Sequence, residues 1–381
     1  MMHNLLVDLN DERFDERALA AALCGIEAAG FVHGDSDCDD GHLLAFIDDE
    51  FGGSWSSEAF AGRSVVARRG DAIAGFATYD PQGLTFSWLR GWRDRPDVGI
   101  FGPFGVARAF RKSGIGPHLL VAALARLRRC GYAHALVPAV GDAKLVAYYG
   151  QHAGARVVET IAKASLLERR ARVVVMASGN GSNFAAVMER VASGSLPLDI
   201  ASVICNVPDA YVLERARETG VASRVVAWDR AAEKRSTYDA RLLAAVAGEE
   251  PELLLLLGWM HLFDDAFVER FTETINIHPA FLPLDQTSDR VALPDGSVQP
   301  AYRGAHAVRD ALADGARWVG ATAHRVVAAA DRGAVLVRKP LAVAEGAAVG
   351  EVLAELHGIE HRVVAGAIVR WCFERPSTSS G

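Results

Sequence analysis

The spacing of apolar positions changes several times along the chain, and each change marks an element. Phe14–Ala29 and Leu43–Phe51 carry apolar residues three and four apart, the stripe of an amphipathic helix. Ser64–Arg68 and Ile73–Tyr79 are short strand-like runs on either side of an Arg69-Gly70-Asp71 turn, and Val98–Val106 is a further strand. Pro117–Cys130 predicts a helix, entered through glycine-rich sequence and with proline in its first turn. Ala133–Val137 reads as strand, Ala143–His152 as helix and Ala155–Leu167 as strand. The predicted order is two helices, three strands, helix, strand, helix, strand.

The charged stretch Glu168-Arg169-Arg170-Ala171-Arg172 interrupts this pattern. The apolar run Val173–Ala177 then leads into Ser178-Gly179-Asn180-Gly181-Ser182-Asn183 and a helix through Val191. A strand, a glycine-rich loop and a helix in that order usually open a parallel sheet. The alternation continues with strands at Ile200–Asn206, Ala222–Val226 and Leu253–Gly258 and helices at Tyr211–Thr219 and Arg235–Ala247. The class is therefore α/β, with one domain over 1–169, a second over 172–375, and a Ser/Thr/Gly/Pro tail, Pro376–Gly381, that reads as disordered. A length of 381 residues suits two domains of ordinary size.

Composition removes whole classes of function. A net charge of −7 argues against a nucleic-acid partner. The longest apolar run, around Leu253–Gly258, falls far short of the roughly 20 residues of a membrane span. The N-terminus turns acidic by Asp8, unlike a signal peptide. Five scattered cysteines without a C-x-x-C pair fit a reduced, cytoplasmic protein and argue against a zinc site. Oligomeric state stays open, a homodimer included.

Two constellations carry chemistry. In the first, Arg111-Lys112-Ser113-Gly114-Ile115-Gly116 follows the strand ending at Val106 and opens a helix. Unpaired N–H groups at a helix start, with its dipole, favour a pyrophosphate, and the glycines let the backbone approach closely. This segment resembles the R/Q-x-x-G-x-G/A motif of the GCN5-related N-acetyltransferases. Downstream, Ala143–Gly154 resembles that family's A-x-x-x-(F/Y)-Y-x-x-x-x-G segment. The resemblance covers most of 1–167. It implies a mixed sheet with helices, an acetyl-CoA or other acyl-CoA cofactor bound by Val106 and Arg111–Gly116, and Tyr149 as general acid on the leaving thiolate. Two departures bear on activity: Ala155 stands where phenylalanine is usual, and the acceptor-binding part before residue 98 matches no known pattern. Glu50, Glu58 and Asp97 are candidates for a general base.

The second constellation joins three segments. The Ser178–Asn183 loop is an anion cradle of the same physical kind. Asn276 and His278 alternate on an extended segment and so share a face, where an amide and an imidazole can polarise a carbonyl and shuttle a proton. Asp331, in Asp331-Arg332-Gly333, is a carboxylate able to orient a histidine. Together with Asn276-Ile277-His278-Pro279, Leu256–Met260 and Glu360-His361, these segments resemble the folate-dependent formyltransferases, most closely those acting on glycinamide ribonucleotide. The resemblance spans about 172–373 and implies a Rossmann-like open sheet and a 10-formyltetrahydrofolate cofactor. It implies a catalytic trio of Asn276, His278 and Asp331, and a folate pocket at Leu257, Gly258 and Met260. Gly181, Ser182, Asn183 and Glu360 would then contact a small-molecule amine with an anionic group. His261 replaces a basic residue of that family, and Leu284–Gln299 is longer than the family's loop, which reads either as a reshaped acceptor pocket or as a tolerated surface insertion.

The two resemblances imply a two-domain transferase of specialised metabolism that formylates one amine and acylates an amine. The alternative is a purine-pathway enzyme whose N-terminal domain is a silent binding or dimerisation module.

Overall fold

The computed structural model describes residues 1–36, 40–89, 91–162 and 167–375. The expected disordered tail, and residues 163–166 of the strand expected over Ala155–Leu167, lie outside the described residues. The chain forms two compact units, Met1–Leu166 with Ala292–Val298 and Trp371–Gly381, and Leu167–Val291 with Gln299–Arg370.

The first unit runs β1 (Met2–Asp8), α1 (Glu16–Ala28), β2 (Val32–Ser36), α2 (Gly41–Glu50), α3 (Trp55–Phe60), β3 (Arg63–Arg69), β4 (Ala72–Tyr79), β5 (Val98–Val106), α4 (Ile115–Arg129), β6 (His134–Val140), α5 (Ala143–Ala153) and β7 (Arg156–Ile161). Its seven strands lie in the order β2-β3-β4-β5-β6-β1-β7. All neighbours are antiparallel except β5 and β6, which are parallel and pair only over Val98–Ile100 against His134–Leu136. β5 therefore continues to Val106 without β6 beside it. α4 buries Leu119, Leu120, Ala123, Leu124 and Leu127 in a core shared with Leu19, Ala22 and Ile26 of α1.

Two strands and a helix here escaped the periodicity reading. β2 holds a single large apolar residue, itself exposed, because it is an edge strand bonded only to β3. α3 is only six residues long. β1 is interior and shows no alternation: His3 and Asn4 precede the run Leu5–Val7, and Asn4 is fully buried. Asn4 Nδ2 donates to the Trp88 carbonyl and to Glu159 Oε2, each at 2.8 Å, and its Oδ1 accepts from the Ala139 amide at 3.0 Å.

The rest of the chain runs β8 (Ala171–Ala177), α6 (Ser182–Ala192), β9 (Leu198–Cys205), α7 (Tyr211–Glu218), β10 (Ser223–Val225), α8 (Arg235–Ala247), β11 (Leu253–Leu256), α9 (Asp265–Arg270), β12 (Thr274–His278), β13 (Arg290–Ala292), β14 (Val298–Pro300), α10 (Ala307–Ala313), β15 (Trp318–Arg325), β16 (Val335–Ala342) and α11 (Val349–Glu374), and belongs to the second unit except for Ala292, Val298 and the last residues of α11 from Trp371. The main sheet has the order β10-β9-β8-β11-β12-β15-β16. The first five strands are parallel, which explains the unbroken apolar runs at Val173–Ala177 and Leu253–Leu256. The sheet does not stay parallel: β15 and β16 are antiparallel to their neighbours. The region expected as a polar loop, Leu284–Gln299, contains β13, which pairs with β14. Leu284, Val291 and Leu293 are buried there.

Asn4→Leu removes the partners of a carbonyl, a carboxylate and an amide at once. It should lower the stability of the first unit by about 1–3 kcal/mol, read as an earlier urea midpoint of the full chain; an unmoved midpoint would show that these bonds hold nothing together.

Candidate active sites

In the second unit β12 carries Asn276 and His278 on one face, and β15 places His324 directly across from Asn276. The turn before β16 brings in Asp331, whose backbone takes the left-handed conformation (φ 54°). Asn276 Nδ2 lies 3.4 Å from Asp331 Oδ1 and 3.2 Å from His324 Nε2. Both His278 Nδ1 and His324 Nε2 lie 3.5 Å from the same Asp331 oxygen. The other carboxylate oxygen accepts from the Gly304 amide at 2.9 Å. His278 Nε2 faces the Tyr302 carbonyl at 2.9 Å and must donate to it, which leaves Nδ1 toward Asp331. His324 Nδ1 likewise donates to the Arg325 carbonyl at 2.8 Å, and its Nε2 stands between the Asn276 amide and Asp331 Oδ1. The three expected catalytic side chains thus meet, and His324 joins them. Its signal was the alternation Thr322-Ala323-His324, which puts two polar side chains on one face of a strand.

Burial pushes His278 below the ordinary histidine value, against the pull of Asp331 and the Tyr302 carbonyl. Burial also opposes ionisation of Asp331, but the His324 hydrogen bond, the His278 ring and the Gly304 amide outweigh it. Its carboxyl stays well below the usual carboxylate range. The resting pair is a neutral His278 beside an ionised Asp331, because Gly304 and Asn276 donate to the carboxylate whether or not His278 is charged.

The Ser178–Asn183 loop leads into α6 through Gly181, at φ 76°. A Cβ there would stand 2.7 Å from a Val212 methyl, so only glycine fits. No side chain caps α6, which leaves its first amides open. Arg215 holds the loop from outside through the Asn180 carbonyl (2.9 Å) and side-chain oxygen (3.1 Å). Asn183 Nδ2 donates to buried Glu360 Oε2 at 3.1 Å, while Asn183 Oδ1 has no partner. Burial pushes the Glu360 carboxyl up, partly countered by Asn183.

Beside this loop, the Ser178 amide donates to the Gly258 carbonyl at 3.0 Å, and Ser178 Oγ accepts from the Met260 amide at 3.1 Å. Leu257 is bonded to Met176, Gly258 takes φ 82°, and the Met260 side chain is exposed. His261 lies 3.1 Å from the Tyr238 hydroxyl, and burial, then Arg235, holds it below its ordinary value.

In the first unit Gly114 caps α4 at φ 90° and no side chain satisfies the first amides of the helix. Lys112 is also left-handed (φ 70°), and Arg111 and Lys112 are exposed. Ser113 Oγ and the Tyr148 hydroxyl are buried without partners. A Cβ on Gly116 would stand 3.2 Å from that hydroxyl. The hydroxyl beside the loop is therefore that of Tyr148, not of Tyr149, whose ring is buried against Phe101. Burial raises both phenols, Tyr148 to about 12. Val106 is half-buried and Ile115 wholly buried. The base candidates are already engaged: Glu50 accepts from the Arg108 amide, Glu58 from Ser54, and Asp97 pairs with Arg95 and His134.

Residues 171–285 and 295–368 match the profile of the formyl transferase family. The phosphoribosylglycinamide formyltransferase of Mycobacterium tuberculosis H37Rv is 34% identical over 179 residues, 46% of this chain and 73% of that protein. The chain belongs to the formyl transferase family. The corresponding Escherichia coli K12 protein is 28% identical over 200 residues, 52% of this chain and 85% of its own length. Among solved structures, glycinamide ribonucleotide transformylase 1 of Symbiobacterium toebii is 31% identical, with 53% of this chain and 88% of that chain covered and a TM-score of 0.46. Residues 18–155 match the GNAT acetyltransferase family, which makes the N-terminal part a GNAT domain. The formyl transferase match breaks between 285 and 295, where β13 lies. Among the described residues no helix is long and apolar enough to cross a membrane.

In the formyl transferase domain His278 and Asp331 both bind protons more weakly folded than unfolded. Their stabilisation is present above the ordinary values and is lost as pH falls, from about 6.5 for His278 and about 4 for Asp331. Urea midpoints of the full chain should fall between pH 7.5 and 5.5. His278→Gln should flatten that decline; an equally steep decline in the variant would remove His278 as its source.

Proposed function

We propose that the formyl transferase domain moves a formyl group from 10-formyltetrahydrofolate to the amine of a small, anionic molecule. The observation that carries this reading is the convergence of Asn276, His278, His324 and Asp331 on one end of β12. The cofactor, when bound, supplies a formyl carbon open to attack by an amine. Leu257, Gly258 and Met260 offer it a strand end with an exposed thioether and a left-handed backbone turn. His278 Nδ1, which carries no proton in the neutral ring and faces Asp331 at 3.5 Å, takes the proton that the attacking amine loses by way of that carboxylate. Asp331 then steadies the charged imidazole, the Asn276 amide stabilises the oxyanion, and the ring returns the proton to the donor nitrogen as its bond to the formyl carbon breaks. The open amides of α6, with Gly181, Ser182 and Asn183, hold the anionic group of the acceptor. Glu360 contacts its polar body.

The GNAT domain, on this proposal, transfers an acetyl or other acyl group from acyl-CoA to an amine. The cofactor supplies a thioester, and the uncapped amides of Ile115 and Gly116 at the start of α4 suit its pyrophosphate. Tyr149 would protonate the leaving thiolate, and the buried, unpartnered hydroxyl of Tyr148 beside Gly116 is a second candidate for that role. Two transferases on one chain fit specialised, natural-product metabolism in the cytoplasm, acting on one molecule or on successive ones. The second reading, glycinamide ribonucleotide as acceptor with a silent GNAT module, draws on the burial of Tyr149 and the engaged state of Glu50, Glu58 and Asp97.

Mass spectrometry of a panel of amines should give a product heavier by a formyl group with the folate donor and by an acyl group with the acyl-CoA donor. His278→Ala should slow formyl transfer by about 10²- to 10⁴-fold; unchanged transfer would sink the assignment. Calorimetry with acetyl-CoA should give a binding isotherm in the full chain that weakens in Gly114→Val. No heat at millimolar ligand would favour the silent module.

A further inference from the structure

The segment absent from the family profile, 286–294, carries Asp289. Its carboxylate is bonded to two guanidiniums, that of Arg303 at 3.2 Å and that of Arg332. Each arginine adjoins a residue that builds the site. Arg303 lies between Tyr302, whose carbonyl accepts from His278 Nε2, and Gly304, whose amide binds Asp331. Arg332 follows Asp331 directly.

Further bonds run through the same three residues. Arg303 Nε donates to the Asp331 carbonyl at 3.2 Å and its Nη2 to the Ser288 carbonyl at 2.8 Å. Arg332 Nη1 donates to the Gln286 carbonyl at 3.1 Å. The Asp289 carbonyl accepts from the Ala301 amide at 2.8 Å, which pins the inserted backbone one residue before Tyr302. Two guanidiniums held this close repel one another. Burial, then the charge of Arg332, disfavours the cationic form of Arg303, and Asp289 and Asp331 offset this. Without Asp289 the pair has a reason to separate, and with it the two loops.

We propose that Asp289 is a positioning residue for formyl transfer: by bridging Arg303 and Arg332 it fixes the two loops that hold Asp331 against His278. The inference rests on the formyl-transfer reading only for its kinetic consequence. Asp331 holds a left-handed backbone at φ 54°, and a residue in that conformation keeps its place only when its surroundings over-determine it. The inserted segment supplies that constraint. A displacement of Asp331 by about 1 Å is enough to slow a well-aligned reaction by as much as a hundredfold.

Asp289 is mostly exposed, so its replacement does not threaten the core. In Asp289→Asn and Asp289→Ala, kcat for formyl transfer should fall about tenfold to a hundredfold, with KM for the formyl donor within about twofold. The second readout needs no activity. The His278 ring, assigned by the NMR signal lost in His278→Ala, should titrate at lower pH in both variants. Of the groups facing that ring, Asp331 raises its affinity for protons, whereas His324 and Arg303 lower it. An unchanged kcat, a fall in kcat with an unmoved ring titration, or a rise in acceptor KM alone would each overturn the proposal. If the wild-type chain transfers no formyl group, the functional reading fails, and the ring titration still decides whether Asp289 holds the site.

Discussion

The charge on Asp331 is the constraint around which the second unit is arranged. Its side chain is largely withdrawn from water, and a buried carboxylate without partners would cost several kcal/mol. Its partners come from distant parts of the chain: an amide from the loop before α10, an amide side chain from β12, a ring from β15 and another from β12. None of these groups could be moved without uncovering the charge. The antiparallel pairing of β15 with β12 serves the same end, since it sets His324 opposite Asn276, and the turn from β15 into β16 carries Asp331.

Both units use one further device, a helix whose first amides are left open by a left-handed glycine in place of a capping side chain. Gly114 does this for α4 and Gly181 for α6. Ser, Thr, Asp or Asn at these positions would satisfy the amides internally and fill the space an anion needs. The overall charge of −7 is compatible with binding anions because the attraction is local, made by backbone dipoles and not by a basic surface.

What could be read from the sequence was local. The runs at Val173–Ala177 and Leu253–Leu256, the two glycine loops and the Asn276-x-His278 alternation all sit within a few residues. The periodicity of a buried strand or the chemistry of a tight turn is visible over such spans. What escaped depended on distant pairing. β2 is a strand only because β3 lies beside it. His324 and Asp289 gain their meaning from partners that no spacing rule connects to them. The tyrosines show the same limit at one-residue scale: adjacent on α5, they diverge by about 100° around the helix axis, and only packing decides which one reaches Gly116.

The burial of β1 between β6 and β7 has a consequence for how the chain is made. The strand at Met2–Asp8 finds its partners at His134–Val140 and Arg156–Ile161. During synthesis, at about 5–20 residues per second, it therefore waits several seconds outside the ribosome with both edges unpaired. Open strand edges invite pairing with other chains. Asn4 is suited to that interval: a polar side chain beside the apolar run Leu5–Val7 discourages premature association, and its partners Trp88, Ala139 and Glu159 all come later in the chain.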